Sequence, residues 1–238
     1  MRDSGDVGQF PNPNVHVRFT ERSDGDFEVD RDPKTLDPLR RTVCDRKWSW
    51  LRQVHGSTVV TVAVPGGQCG TRADAMVTTV PGAVLAVQTA DCAPVLLAGT
   101  GPGVTAVGAV HAGWRGLYDG VVEATVSRLR DLGAETFEWR LGPHVSSAYY
   151  EFAEADLTTL ALRFGPEVVG VTKGGTAAFD MAAAVRSALR SSGIATGNGS
   201  DAAPCTASAV TVDGSSRYFS WRARGETGRQ ASLIWIEP

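Results

Sequence analysis

The chain has 238 residues, 42% of them hydrophobic and 21% charged, enough for a full apolar core in one large domain or two small ones. With 23 Lys and Arg against 26 Asp and Glu, the net charge is −3, so no basic excess exists to neutralise nucleic-acid phosphates. No apolar run approaches the ~20 residues of a membrane helix, and the first residues lack a basic stretch followed by an apolar one, which predicts neither a membrane span nor a secretory signal.

Taken in chain order, residues 1–45 are polar and irregular, with a short strand expected at Val15–Phe19. Loop and a short helix are expected across the charge-rich stretch from Glu21 to Arg41. WSWLRQV and STVVTVAV then read as two β runs joined by a hairpin turn at His55-Gly56. ADAMVTTV, AVLAVQTADCAPVLLAG and GVTAVGAVHAG are nearly continuous apolar runs, as strands buried on both faces require. Leu117–Leu132 switches to helical periodicity and stops at Gly133. FEWRLG reads as a strand and Glu154–Phe164 as a helix. FDMAAAVRSALRSSG is a helix that Asp180 caps and Gly193 ends. A loop is expected over Gly193–Pro204, and the tail supplies the strand-like runs SAVTV, RYFSW and ASLIWI around the polar loop RGETGRQ. The whole predicts one α/β domain with mixed sheets, with no internal repeat and no linker.

Four cysteines (Cys44, Cys69, Cys92, Cys205) form neither a CxxC motif nor a disulfide scaffold, so a reducing cytoplasm is the predicted compartment. The four histidines are His16, His55, His111 and His144, so any metal site is small. Three places put a reactive side chain beside a turn at the end of an apolar strand: Gln53-Val-His-Gly, Thr89-Ala-Asp-Cys and His111-Ala-Gly-Trp-Arg-Gly. Two imidazoles and one thiolate make a zinc triad with a fourth position left for water or substrate, and the ion keeps net positive charge as a Lewis acid. The same residues also fit a small core cysteine, satisfied histidines or a Cys–His nucleophile pair. HAGWRG ends a strand and opens a helix, where free amides and Arg115 suit an anion. The alternative is that Gly113 and Gly116 simply permit a tight turn. Asp74 and Asp91 are candidates to orient a histidine or act as a base. Arg222, Arg224 and Arg229 are weaker candidates for phosphate or ribose. Neither a Walker A loop nor a GxSxG elbow is present.

In this order, QVHG, ADA, TADCAPVLL, HAGWRG, LGP with YYEF, and CT with YFSWRARGETGRQAS resemble the YfiH-type family, also called multicopper polyphenol oxidase, laccase-domain protein or purine nucleoside phosphorylase. The resemblance covers about Trp48 to Ile236. It implies a single domain of mixed sheets sandwiched between helices, in α/β/β/α layers, with residues 1–45 a divergent segment of the same domain as 46–238. It implies a metal, zinc before copper, held by His55, Cys92 and His111. The implied reaction splits adenosine, inosine or methylthioadenosine with phosphate into base and ribose 1-phosphate, with adenosine deamination alongside. Catalysis is expected from His55, Cys92, His111 and Asp91, and substrate or phosphate contacts from Arg115, Gln53 and Gly113. The expected partners are small molecules, with no nucleic acid and no membrane, in a monomer or homodimer. Copper-dependent phenol oxidation and an amide hydrolase acting on peptidoglycan precursors are the alternatives. With four histidines and no HxH pair, a conventional multicopper set lacks ligands. Two departures from the family stand out: the segment before QVHG is shorter and different, and His144 follows LGP, where a surface substitution is expected ahead of an extra ligand or acid near the site.

Overall fold

The computed structural model describes residues 10–195, 199–200 and 203–238. In chain order, β1 (Val15–Phe19) and α1 (Pro33–Val43) precede β2 (Trp48–Arg52), β3 (Val59–Thr61), β4 (Thr71–Arg72), β5 (Ala75–Thr78), β6 (Val84–Thr89), β7 (Ala93–Gly101) and β8 (Val104–Ala112). The second half adds α2 (Trp114–Tyr118), α3 (Val121–Asp131), β9 (Thr136–Leu141), α4 (Glu154–Phe164), β10 (Val169–Val171), β11 (Ala177–Phe179), α5 (Met181–Ser191), β12 (Gly199–Ser200), α6 (Trp221–Arg224) and β13 (Gln230–Ile236).

Two mixed sheets form, ordered β1-β13-β6-β2-β4 and β12-β9-β7-β8-β5-β3, beside a small β10-β11 hairpin. Between the sheets, Leu51, Leu85, Val87 and Ile234 of the first meet Met76, Leu96, Val107 and Ala109 of the second. On the outer face of the first sheet, Leu36 of α1 packs with Trp48, Val84, Ala86 and Leu233. On the outer face of the second, α3, α4 and α5 bury Val126, Leu160 and Leu189 in one core with Val95, Leu97 and Val110. The layers are therefore α/β/β/α, as the resemblance implies. Strands such as β6 and β7 contribute to cores on both faces, which is why their sequences show no polar alternation.

Several local expectations change. The turn at His55-Gly56 is not a hairpin: β2 pairs in parallel with β6 and β4, whereas β3 pairs with β5 in the other sheet. The run AVLAVQTADCAPVLLAG is two strands in different sheets, β6 and β7. The helix expected over Leu117–Leu132 breaks into α2 and α3 because Gly120 takes a left-handed φ of 87°. In the tail only the last run becomes a strand. Val210 and Val212 stay exposed, and Trp221–Arg224 winds into a short helix capped by the Ser220 side chain. Asp180 caps α5 by accepting from the Ala183 amide, as its position predicts. Part of the loop expected over Gly193–Pro204 lies outside the described residues. Among the described residues, no helix is long and apolar enough to cross a membrane.

The contacts between the sheets carry the core, so Leu96→Ala should cost about 2–5 kcal/mol in urea unfolding. Val212→Ala, at a fully exposed position, should change stability by less than about 0.5 kcal/mol.

Candidate metal centre

Both QVHG and TADC are crossovers between the two sheets: the first joins β2 to β3, the second β6 to β7. HAGWRG carries β8 directly into α2. The three connections bring one donor atom each of His55, Cys92 and His111 within 4.8 Å of one another. Cys92 Sγ lies 3.7 Å from His55 Nε2, and the two imidazole rings stand nearly perpendicular, 4.8 Å between centroids.

Asp74 organises this arrangement. Its carboxylate is fully buried and accepts from the backbone amides of Val54, His55 and Gly56 at 2.8–3.0 Å. It also accepts from Nδ1 of His111 at 2.8 Å, which fixes the proton on Nδ1 and leaves Nε2 free to ligate. His55 itself adopts a φ of 59°, a left-handed conformation that the three amide bonds sustain. Burial opposes the charge on Asp74, but the hydrogen bonds from His111, Gly56 and His55 outweigh it and hold the carboxyl below its ordinary range. The same motif needs its glycines for close approach. A Cβ on Gly113 would lie 2.6 Å from the His55 ring and one on Gly116 2.8 Å from the Gly56 carbonyl. Gly113 thus makes room for a ligand.

Asp91, with φ 99°, is strained in the same way. Its two carboxylate oxygens accept from the Thr206 hydroxyl at 2.6 Å and the Arg222 amide at 2.5 Å, tying the tail to the turn that presents Cys92. Gln53 pairs both ends of its amide with the backbone of Gln88, at 2.7 and 2.8 Å, and so staples β2 to β6 beside the site.

Electrostatically the triad is ready for a cation. Burial alone would raise the Cys92 thiol, but His111 and His55 bring it down to about 6. Burial alone would lower His111, but the Cys92 thiolate and the Asp74 carboxylate lift it to about 9. The two protein nitrogens and one sulfur also match zinc sterically. At Zn–N of about 2.0–2.1 Å and Zn–S of about 2.3 Å, a tetrahedral ion places N and S about 3.6 Å apart, close to the observed Cys92–His55 separation.

The triad opens into a cleft of about 480 Å³. Its walls include Gln53, Arg52, Arg229 and Trp221, together with Glu28, Val29 and Asp30 from the N-terminal part of the chain. Arg52 pairs with Asp30 at 2.8 Å and Arg229 with Glu28 at 3.4 Å. Arg115 is exposed, stacked 4.6 Å over Trp114, and does not line this cleft. Of the tail arginines only Arg229 lines it. Arg222 covers Tyr150, and Arg224 is spent on the Thr206, Ala207 and Tyr218 carbonyls and on Glu226. His144 is buried, not a surface substitution: its Nδ1 lies 3.0 Å from the Gly142 carbonyl, and it bridges to Cys205 outside the triad. Arg52 and the 28–30 wall had no motif signal, because nothing local in their sequence marks them as neighbours of the triad, and Trp221 lay in the tail motif YFSWRARGETGRQAS with no role assigned to it.

A model of the family described as multi-copper polyphenol oxidoreductase laccase matches residues 19–237. The chain belongs to this laccase-domain family. It is similar to a purine nucleoside phosphorylase of Pseudomonas aeruginosa, 34% identical over 240 residues, covering 98% of this chain and 90% of that one. A purine nucleoside phosphorylase of Streptomyces coelicolor is 39% identical over 191 residues, covering 79% and 74%. In fold it is similar to the Bacillus licheniformis hypothetical protein YfiH, with TM-score 0.77, 23% identity and coverage of 94% and 93%. The relatives' names support an enzyme, and the YfiH-type resemblance drawn from the motifs holds.

Metal affinity should follow the proton on His111. Between about pH 6 and 9 the metal-free pair is thiolate and imidazolium, so a metal ion must displace one proton. Zinc affinity, measured against a competing chelator, should rise about tenfold per pH unit across that window. Asp74→Asn should weaken zinc about 10–100-fold and cost about 1–3 kcal/mol of stability, because its NH₂ replaces one of two oxygens that each accept from a backbone amide and so faces a donor.

Proposed function

We propose that this laccase-domain protein is a zinc-dependent purine nucleoside phosphorylase. In this reading adenosine or inosine reacts with phosphate to give base and ribose 1-phosphate, and methylthioadenosine gives adenine and methylthioribose 1-phosphate, with deamination of adenosine alongside. The observation that carries the reading is the His55–Cys92–His111 triad at the base of a cleft walled by two arginines and an exposed tryptophan. The names of the relatives support the same reaction.

His55, Cys92 and His111 hold the ion, which supplies Lewis-acid charge stabilisation when bound. In phosphorolysis a phosphate oxygen bonds to the ribose carbon as the bond from that carbon to the base nitrogen breaks. Phosphate therefore needs a cationic seat inside the cleft, and Arg52 and Arg229 provide it more directly than Arg115. Their carboxylate partners, Asp30 and Glu28, are displaced or shared when phosphate arrives. Trp221, 59% exposed at the rim, offers a flat face to the purine. Asp91, with both oxygens engaged, acts through the position of Cys92. Gln53 likewise holds the β2–β6 edge from which the His55 loop departs.

A multicopper reading meets a shortage of donors. His16 stacks on Trp235 and faces Glu237, and His144 lies outside the triad, so the remaining histidines do not extend the site. The single S/N₂ set would also accept copper, and zinc is proposed because the open three-ligand arrangement suits it.

Mass-spectrometric product analysis with adenosine tests the proposal. Adenine and ribose 1-phosphate should appear only with phosphate and should vanish in His111→Ala. No turnover by zinc-loaded wild-type protein would contradict the proposal. Arg229→Met should raise KM for phosphate at least about tenfold, while Arg115→Met leaves it within about twofold.

A further inference from the structure

A second, larger cleft of about 700 Å³ lies between α1 and the outer face of β2. Arg40 sits in its wall between Trp48 and Trp50, its guanidinium 5.8 and 5.2 Å from their ring centres. The Arg40 side chain is only 10% exposed. Its Nη1 reaches Asp37 at a long 3.3 Å, and Nε and Nη2 have no hydrogen-bond partner. Burial pulls this guanidinium below its ordinary value, with Asp37 only partly restoring it. A desolvated cation with one weak partner is an under-compensated charge, and a stronger anion at Nη1 in place of Asp37 would compensate it better.

The surroundings add to this. Arg41, Arg46 and Lys47 line the same cleft, against Asp37 and Asp45. Arg46 is paired with Glu237, whereas Arg41 and Lys47 are exposed and have no ion-pair partner among the described residues. Asp37 is 62% exposed and can swing out toward water. Trp50, half-buried, gives the cleft an aromatic wall.

We propose that this cleft is a second ligand site, separate from the metal centre, that binds a small aromatic anion of mononucleotide size. Its phosphate or carboxylate displaces Asp37 from Arg40 and gains Arg41 and Lys47, while its ring packs against Trp50. A guanidinium already held between two indoles needs little ordering of its side chain to meet an anion at Nη1, the nitrogen that Asp37 now contacts.

Calorimetry with 5′-AMP, inorganic phosphate and adenosine as separate probes tests the site. AMP should bind wild-type protein and His55→Ala alike, and at least about tenfold more weakly to Arg40→Gln. Because Arg40→Gln perturbs a buried position, the surface pair Arg41→Ala/Lys47→Ala is the second variant and should also weaken AMP several-fold. Cys69, an exposed thiol lining the same cleft, should be alkylated more slowly when AMP is present. Because adenosine and phosphate also enter the metal-centre cleft, the three probes are compared by protection of Cys69 from alkylation, and AMP should protect at lower concentration than either. Undetectable AMP binding, equal AMP affinity in both arginine variants, loss of AMP binding in His55→Ala, or adenosine protecting Cys69 as well as AMP does would each overturn the proposal.

Discussion

One buried carboxylate holds the metal centre together. Asp74 receives three consecutive amides of the QVHG loop and the imidazole of His111, so a single anion sets both the strained backbone of one ligand and the tautomer of another. Removing it would leave several buried donors unpaired at once, which is why its effect reaches beyond one hydrogen bond. The residue lies between β4 and β5, outside all three ligand loops, and binds two of them.

Two crossovers make the site possible. The chain passes from the first sheet to the second at QVHG and again at TADC, and each passage is built around a non-glycine residue in a left-handed conformation. Such conformations cost about 1–3 kcal/mol each and persist only when surrounding bonds over-determine them. Asp74 does this for His55, and the Thr206 hydroxyl and Arg222 amide do it for the Asp91 turn. The C-terminal tail therefore helps place a ligand that lies more than a hundred residues earlier. The N-terminal segment contributes differently: Glu28 and Asp30 wall the cleft and pair with its two arginines.

The three residues of the triad stood out because they sit in short motifs with glycines and strand ends around them, and the family resemblance joined them into one set. The four-layer fold was legible through family resemblance, and the buried strands through their unbroken apolar runs. The hairpin expected at His55-Gly56 failed because a turn and an inter-sheet crossover use the same residue types, and only long-range pairing with β6 and β5 separates them. RYFSW carries strand-forming residues, yet the Ser220 cap and the Glu226 contact to the Ser220 amide favour a short helix after it. Arg115 drew attention through its motif and Arg229 through the charged tail loop, whereas Arg52 became visible only once strands distant in sequence lined one cleft.

X-ray absorption at the zinc edge of the zinc-loaded protein tests the central claim most directly. The Asp74-ordered triad predicts one sulfur at about 2.3 Å and nitrogen or oxygen donors at about 2.0–2.1 Å, with one exchangeable position. A site with no sulfur, with two sulfurs, or with four protein ligands would contradict it.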